Sequence, residues 1–467
     1  MTNPASPGTP FILPHGTRLG RKVERVVRDL YDVWGYDEVI TPQLMRKSLW
    51  QTSGHWENYR ADMFGVRGFV DVDAPSEPLA SVVSSAVAEE RKGCCAAHDT
   101  PAETAAQDEF GLKPMNCPGH CLIFADEERS YRVLPLRLAE FSPLHRNESS
   151  GSLSGLTRVR RFHQDDAHVF CRPDQVSAEI TSMLTMLAAA YRTFGFSSFE
   201  LVLSTRPAKY IGDIAVWDAA ENDLRAALDS SGAEWALNEG DGAFYGPKID
   251  VRLVDALGRK HQTATIQLDF QLPERFSLSY KDPKAPDGRA RPVMIHRAIL
   301  GSLERFMAIL IESCKGQWPF WISPRQAIVM PTQPDNEEQL AHAQRVRNHL
   351  SLGPEAARYI PIVTNSTGIL TASPDAERPP RPTQVFHVDL ETSKDRLGKR
   401  VLRALKERYN FVLIIGDEEV ANGTVRVRAR ESAVAEGEGR PKIEEDMGEW
   451  KVADLRALMC TLDAHHW

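Results

Sequence analysis

Apolar residues recur at helical spacing in the first patterned stretch, TRLGRKVERVVRDLYDVWGY, where Leu19, Val23, Val26, Val27, Leu30 and Val33 alternate with charges. The pattern predicts an amphipathic helix that stops at Gly35. DEVITP follows as a short β-branched strand. Pro42 closes it and, having no N–H to give a ladder, places the strand at a sheet edge or at a strand end. Between residues 114 and 312, strand-like runs alternate with turns: YRVLPLRLAEF, VRRFHQDDAHVF, FELVLS, KIDVRLVDALGRKHQTATIQLDF and RPVMIHRAI, closing on the apolar-periodic helix GSLERFMAILIESC. Strands dominate and helices flank them. The expected class is α+β with a largely antiparallel sheet, in preference to a doubly wound parallel one.

A boundary falls near WPFWISP, dividing the chain into residues 1–322 and 323–467. The tail reads as a separate α/β domain: RQAIVMP as a buried strand, HAQRVRNHL as helix, VFHVDL as strand, KDRLGKRVLRALKERY as a basic helix, FVLIIGDEEV as one continuous apolar strand and TVRVRAR as an alternating basic strand. Two stretches break the texture. Residues 66–108, rich in Ala, Ser, Pro and acid, read as an exposed flexible insertion, and residues 353–382 read as a Pro- and Ser-rich loop insertion.

Composition narrows the class without choosing a function. At 467 residues, 42% hydrophobic and 26% charged, the chain is globular with two or three domains. No apolar run of about 18 residues predicts a membrane span. The opening MTNPASPGTP is neither an apolar signal core nor an Arg-rich amphipathic leader. Seven cysteines, with Cys94 and Cys95 adjacent, are odd in number and scattered, which fits a reducing compartment and no structural disulfide. The net charge of -8 means that any nucleic-acid contact must come from local basic patches.

Chemistry concentrates in FSPLHRNESSGSLSGLTRVRRFHQDDAHVFC, two strand-like arms joined by a Ser/Gly-rich loop. Residues two apart share a strand face, so Phe162, Gln164, Asp166 and His168 point the same way. An aromatic ring, an amide, a carboxylate and an imidazole together make a poor core and a good site. The chain has no GxGxxG or Walker loop, so a nucleotide would be held by side chains on a sheet.

This hairpin resembles the second signature of class II aminoacyl-tRNA synthetases, and RNESSGSLSGLTRVRRFHQDDAHVFC in particular resembles the threonyl-tRNA synthetases. SLWQTSGHWENY, KPMNCPGHC, FYGPKIDVRLVDALGRKHQTATIQLDFQLPERFSLSY and RPVMIHRAILGSLERF agree with the same family in the same order. The resemblance covers roughly Pro10 to Trp321 outside the insertion and continues more loosely through LGKRVLRA and FVLIIGDEEVANGTVRVRAR. It implies a class II catalytic domain followed by an anticodon-binding domain.

It also implies roles. Arg146, Arg158 and Arg305 would grip the polyphosphate of ATP, which would come with Mg2+, since the planar guanidinium fork matches phosphate oxygens. Phe162 would stack on adenine, with Glu148 and Gln262 on base or ribose. Cys117, His168 and His296 would hold one Zn2+, whose open position would take the amino and hydroxyl groups of L-threonine. Serine would fit as well, and valine would not. Asp166 would take the ammonium group, and Met115, Gln164, Tyr245 and Gln267 would shape the pocket. His55 would relay a proton during transfer to tRNA(Thr), with Lys248 also in the catalytic set; the adenylate phosphate is the alternative base, and packing beside Trp56 the alternative place for His55. Lys399, Arg400, Arg426, Arg428 and Arg430 would contact the anticodon stem, with a solvated basic face as the other reading.

The chain begins almost at the catalytic domain, so no N-terminal hydrolytic domain is expected. In this it resembles the short fungal mitochondrial type, which points to the mitochondrial matrix, with the cytoplasm as alternative. The helix, strand and Pro42 unit resembles the first class II signature, which implies a homodimer. Two competing functions remain: a catalytically silent, synthetase-like RNA-binding or regulatory protein, and another class II synthetase such as a seryl or prolyl enzyme.

Overall fold

The computed structural model describes residues 1–66, 109–254, 258–354, 384–430 and 443–467. The two expected insertions fall outside the described residues except at their first positions, and so do Cys94 and Cys95. Cys117, Cys121, Cys171, Cys314 and Cys460 are free thiols.

Helix α1 (Pro14–Trp34) ends where the sequence predicts, because Gly35 adopts the left-handed conformation at φ 67° and returns its N–H to the last turn. Leu19, Val23, Val26, Val27 and Tyr31 are buried, but Val33 is 74% exposed. The buried stripe runs on through Tyr31 and the partly buried Trp34, which leaves Val33 on the outer side of the last turn.

Eight strands form the main sheet: β1 (Asp37–Glu38), β2 (Leu136–His145), β3 (Arg161–Cys171), β4 (Glu200–Ser204), β5 (Trp235–Asn238), β6 (Lys248–Val254), β7 (Lys260–Asp269) and β8 (Val293–Ala298). Their order is β1-β2-β3-β8-β7-β6-β4-β5. The inner pairs are antiparallel, and only the two edge strands, β1 and β5, pair in parallel. The sheet is therefore the largely antiparallel one expected, with the strand before Pro42 at its edge.

The two faces of the sheet differ. On one side Ala167, Val169 and Cys171 of β3 join Ile249, Val251, Ile266 and Ile295 in a core covered by α1, α3 (Val176–Thr193), α4 (Ile214–Ser231) and α5 (Leu303–Cys314). On the other side α2 (Cys117–Ala125) lays Cys117, Cys121 and Phe124 against Leu138, Phe170 and Met294. The period-two face of β3 read from the sequence looks toward this second side.

The tail carries a five-stranded sheet of β9 (Ala327–Pro331), β10 (Val388–Leu390), β11 (Phe411–Ile415), β12 (Thr424–Ala429) and β13 (Asp446–Lys451), in the order β10-β9-β11-β12-β13. Helices α6 (Glu337–Leu352), α7 (Leu397–Lys406) and α9 (Val452–Ala464) flank it, with a short α8 (Asp417–Asn422) after β11. The run FVLIIGDEEV is thus not one strand. It breaks at Gly416, whose N–H is capped by Glu419 at 2.8 Å, and its acidic residues open α8 where the helix dipole favours them.

Arginines link the two domains across their boundary through carbonyls. Arg430 donates to Trp318 O at 2.6 Å and Arg408 O at 3.0 Å, and Arg18 donates to Pro324 O at 3.0 Å. Among the described residues no helix is long and apolar enough to cross a membrane.

Candidate active site and metal centre

At one end of the β3 face lies a cavity of about 220 Å³ lined by Arg146, Glu148, Arg158, Phe162, Gln164, Gln262, Ser302 and Arg305, among others. All six residues expected to bind ATP meet here. Arg146 sits with its guanidinium 4.9 Å from the Phe162 ring centre. Arg158 pairs with Glu148 at 2.8 Å, and Arg305 donates to Thr157 O at 3.0 Å and Gln262 O at 3.1 Å. Gln262 reaches this face because the pairing of β6 with β7 shifts register between Val251 and Arg252, an irregularity that re-aims the side chain.

The electrostatics fit an anion. Burial lowers the pKa of Arg305, and Arg146 and Arg158 beside it lower it further. Three guanidiniums that repel one another are relieved by a polyphosphate. Ser302 caps α5 by accepting from Arg305 N at 3.2 Å, so the positive end of that helix also opens on the cavity.

Lys248 stands apart from the cavity lining. Its ammonium lies 2.8 Å from Asp250 and 3.6 Å from Asp241, and Asp250 also accepts from Gln262. Lys248 is the register partner of Gln267 across β6 and β7.

At the other end of the face, Cys117, His168 and His296 offer ligand atoms that all lie within 4.8 Å of one another. His168 and His296 are direct register partners on β3 and β8, and Gln267 faces His296 from β7, which places three sequence-distant residues in one row. Cys117 comes down on that row from the first turn of α2. One thiol and two imidazoles, with no fourth ligand in the group among the described residues, suit Zn2+ with an open position. Burial lowers the pKa of His168 well below its usual value, with His296 and His120 adding to the effect. The ring is neutral, as a metal ligand must be.

Of the residues predicted for the amino-acid pocket, Gln164 lines the arginine cavity, and Asp166, Tyr245, Gln267 and Met115 lie around this cluster. Asp166 is buried and accepts from Asn116 Nδ2 at 3.1 Å; burial pushes its carboxyl up, with His120, His296 and the Asn116 amide opposing. Tyr245 donates to Gln267 Oε1 at 3.1 Å, and its ring centre is 5.7 Å from that of His296. Tyr245 is held in place by Gly246, where an added Cβ would come within 1.8 Å of the Leu268 carbonyl oxygen.

His55 lies beside the Cys/His/His cluster. Its Nε2 is 3.2 Å from Met115 Sδ and 3.9 Å from Cys117 Sγ, and Nδ1 is 2.8 Å from Ser53 Oγ. Its aromatic neighbour is Trp50, edge-on with ring centres 6.0 Å apart, whereas Trp56 stacks with Lys47. Burial pushes His55 down to about 4, which leaves it neutral at pH 7.

The anticodon set divides. Arg426 and Arg428 border a cavity of about 780 Å³ on the tail, and Lys399 is exposed, paired with Asp395 at 2.9 Å. Arg400 is 1% exposed and donates to Pro331 O and Thr332 O, and Arg430 is buried on the carbonyls of Trp318 and Arg408. Contrary to expectation, these two are structural: their charge is spent on backbone carbonyls inside the protein.

Sequence reasoning missed the groups behind the cluster: His120, Glu140, Lys113 and Thr41 behind His168, and Asp269, whose Oδ2 is 2.8 Å from His296 Nε2. A signal was available for His120, three residues after Cys117 on the same helix and so on the same face.

An arginine-lined cavity and a Cys/His/His cluster on one face of an antiparallel sheet, followed by an α/β tail, define a class II aminoacyl-tRNA synthetase. The tRNA synthetase class II core domain (G, H, P, S and T) matches residues 101–314, and the anticodon binding domain matches residues 326–440. Within that class the chain belongs to the threonine–tRNA ligases. It is 42% identical to the probable mitochondrial threonine–tRNA ligase of Schizosaccharomyces pombe, over 92% of this chain and 81% of that protein. It is 43% identical to the mitochondrial threonine–tRNA ligase of Saccharomyces cerevisiae, over 92% of this chain and 84% of that one. Relatives named as cytoplasmic match at 43–44% identity. A solved structure described as the RNA binding domain of threonyl-tRNA synthetase from Cryptosporidium parvum Iowa II superposes with a TM-score of 0.77 at 38% identity, covering 99% of this chain and 95% of that one.

Proposed function

We propose that the chain activates L-threonine with ATP, releasing pyrophosphate, and then transfers threonine from threonyl-adenylate to the terminal adenosine of tRNA(Thr). One observation carries this reading: a single face of β3 runs from Phe162 in the arginine-lined cavity to His168 in the Cys/His/His cluster. A mixed anhydride built from nucleotide and amino acid would lie along that face with its halves at the two ends.

At the cavity end, Arg146, Arg158 and Arg305 hold the ATP phosphates with Mg2+, Phe162 stacks on adenine, and Glu148 and Gln262 take base or ribose. Charge that develops as the threonine carboxylate attacks the α-phosphate is met by guanidiniums already in place. Lys248, held by Asp250, shares the register row of Gln267 and His296 at the cluster end. At the cluster end Asp166 takes the substrate ammonium, while Met115, Tyr245 and Gln267 close the pocket and Gln164 borders it from the cavity side. Cys117, His168 and His296 hold Zn2+, which when bound supplies the position that recognises amino and hydroxyl groups together; serine shares them and valine lacks the hydroxyl. In the transfer step His55, neutral and anchored on Ser53, accepts the proton of the attacking ribose hydroxyl.

The tail docks tRNA, with Lys399, Arg426 and Arg428 as its basic contacts. Single-stranded bases are read by side chains in pockets such as the one these arginines border. The protein acts as a homodimer through α1, β1 and the segment that follows to Pro42, where Val33 of α1 and Ile40 after β1 are 74% and 88% exposed; sedimentation as a monomer at micromolar concentration overturns this. We place it in the mitochondrial matrix, tested by fractionation of cells against cytosolic markers. Threonine-dependent pyrophosphate exchange tests the activity itself. A folded, zinc-loaded sample without such exchange sinks the reading.

A further inference from the structure

Behind the cluster, buried polar groups form a chain that substrate does not reach. His168 turns Nε2 toward His296 Nδ1, 3.1 Å away, and Nδ1 toward His120 Nδ1, 2.8 Å away. His120 presents Nε2 to Glu140 Oε2 at 3.2 Å. Glu140 also accepts from Lys113 Nζ at 2.6 Å and Thr41 N at 3.0 Å through Oε1, and from Thr41 Oγ1 at 2.8 Å through Oε2. His168, His120, Glu140 and Lys113 are each exposed by 1% or less.

With one proton on each imidazole, the hydrogen-bonding roles in this chain admit one arrangement. Glu140 is ionised: burial alone would raise its pKa, but the bonds from His120, Lys113 and Thr41 outweigh that and hold it at about 2. A carboxylate only accepts, so His120 Nε2 carries a proton. His120 Nδ1 is therefore bare, and the 2.8 Å contact between the two Nδ1 atoms requires His168 to be the donor. A neutral ring that donates through Nδ1 is bare at Nε2. That nitrogen faces His296 and the cluster. His296 reaches the equivalent state directly, through Asp269 at 2.8 Å.

We propose that Lys113, Glu140 and His120 are a positioning relay that holds His168 in the tautomer and ring orientation a metal ion needs, before any ion arrives. His168 is thus supported by a carboxylate acting through an intervening histidine, where His296 has its carboxylate in contact. The relay extends the metal-centre reading given above and rests on it.

The test measures zinc affinity by competition with a chromophoric chelator, in the full chain, for the parent, Cys117→Ser, Glu140→Gln, His120→Leu and His120→Asn. Glu140→Gln keeps the shape but inverts the roles. Its oxygen is drawn to Lys113 and Thr41 N, so its amide N–H points at His120 Nε2 and drives the wrong proton through to His168. Zinc binding should weaken about 10- to 100-fold in Glu140→Gln and in His120→Leu. His120→Asn, whose side-chain oxygen can accept from His168 Nδ1, should recover part of that loss. Simple packing predicts the reverse order, with Leu tolerated better than Asn. The KM for threonine should rise while the KM for ATP stays within about twofold, because the arginine cavity is untouched. Parent-like zinc affinity in folded Glu140→Gln overturns the relay, and so does Leu matching or exceeding Asn. A parent protein that binds no zinc, with Cys117→Ser unchanged from it, overturns the metal centre itself.

Discussion

His168 and His296, 128 residues apart in the chain, are register partners on adjacent antiparallel strands, with Nε2 of one 3.1 Å from Nδ1 of the other. Backbone pairing fixes both rings before any ligand binds, so Cys117, on the opposing helix, is the member of the cluster that sheet pairing does not place. Cys117→Ser should leave the fold intact, abolish stoichiometric zinc and reduce threonine-dependent pyrophosphate exchange at least about 100-fold, a loss on the order expected when a metal site is disabled. Metal analysis and circular dichroism on the same sample check it.

The proposed recognition of amino and hydroxyl groups together makes a prediction about near-cognate substrates. Serine should give pyrophosphate exchange at elevated concentration. Valine should fall below threonine by roughly 10⁴ in kcat/KM, because its methyl leaves buried polar partners unpaired. Absence of exchange with serine at concentrations far above those for threonine would refute the account.

Arg305 faces two other guanidiniums in the cavity and is already held by the carbonyls of Thr157 and Gln262. Arg305→Ala should lower kcat/KM for ATP by about 10²- to 10³-fold, in the range found for losing one donor to developing charge. Arg305→Lys should recover only a fraction, since a point charge cannot reproduce the planar fork. Threonine and zinc affinity should be unchanged in both variants, measured by titration without ATP.

Glu140 gives stability a pH dependence of known sign. Its folded-state pKa, about 2, lies below its ordinary 4.5, so the contribution is complete above about pH 4.5 and is lost as pH falls toward 2. The full span is about 3 kcal/mol. Urea unfolding should therefore show the deficit of Glu140→Gln narrowing between pH 7 and pH 3.5. A deficit that is constant across that range would show that the ionised form is not what the fold holds.

The tail arginines should separate by role. Arg430→Met removes the donor to Trp318 O and Arg408 O and should lower the melting temperature by several degrees, a loss of about 1–3 kcal/mol per buried acceptor left bare. Arg428→Ala should leave melting unchanged and raise the KM for tRNA severalfold, with pyrophosphate exchange unaffected. Thermal melts and aminoacylation kinetics check the pair together.

Residues whose placement depends on strand or helix period were legible in the sequence. The face of β3, the end of α1 at Gly35 and the edge position of the strand before Pro42 all follow from alternation, glycine and proline acting locally. Cys117, His168 and His296 carry no such signal, because register between distant strands joins them; only family resemblance brought them together. Arg400 and Arg430 show the opposite failure. A basic pattern in sequence does not tell a solvent-facing guanidinium from one buried on carbonyls, as these are. His120 could be placed on the Cys117 face from spacing, but its role could not, because its partners Glu140 and Lys113 meet it only after α2 packs on the sheet.

Phe162 and His168 on one uninterrupted strand make β3 a ruler as well as a platform. Inserting or deleting one residue between them would do more than alter a distance by a few ångströms. It would rotate everything beyond the change onto the opposite side of the sheet, putting an aromatic ring or an imidazole into the apolar core and a core methyl group into the site. Point substitutions within the strand can be graded, but changes of length are all or none.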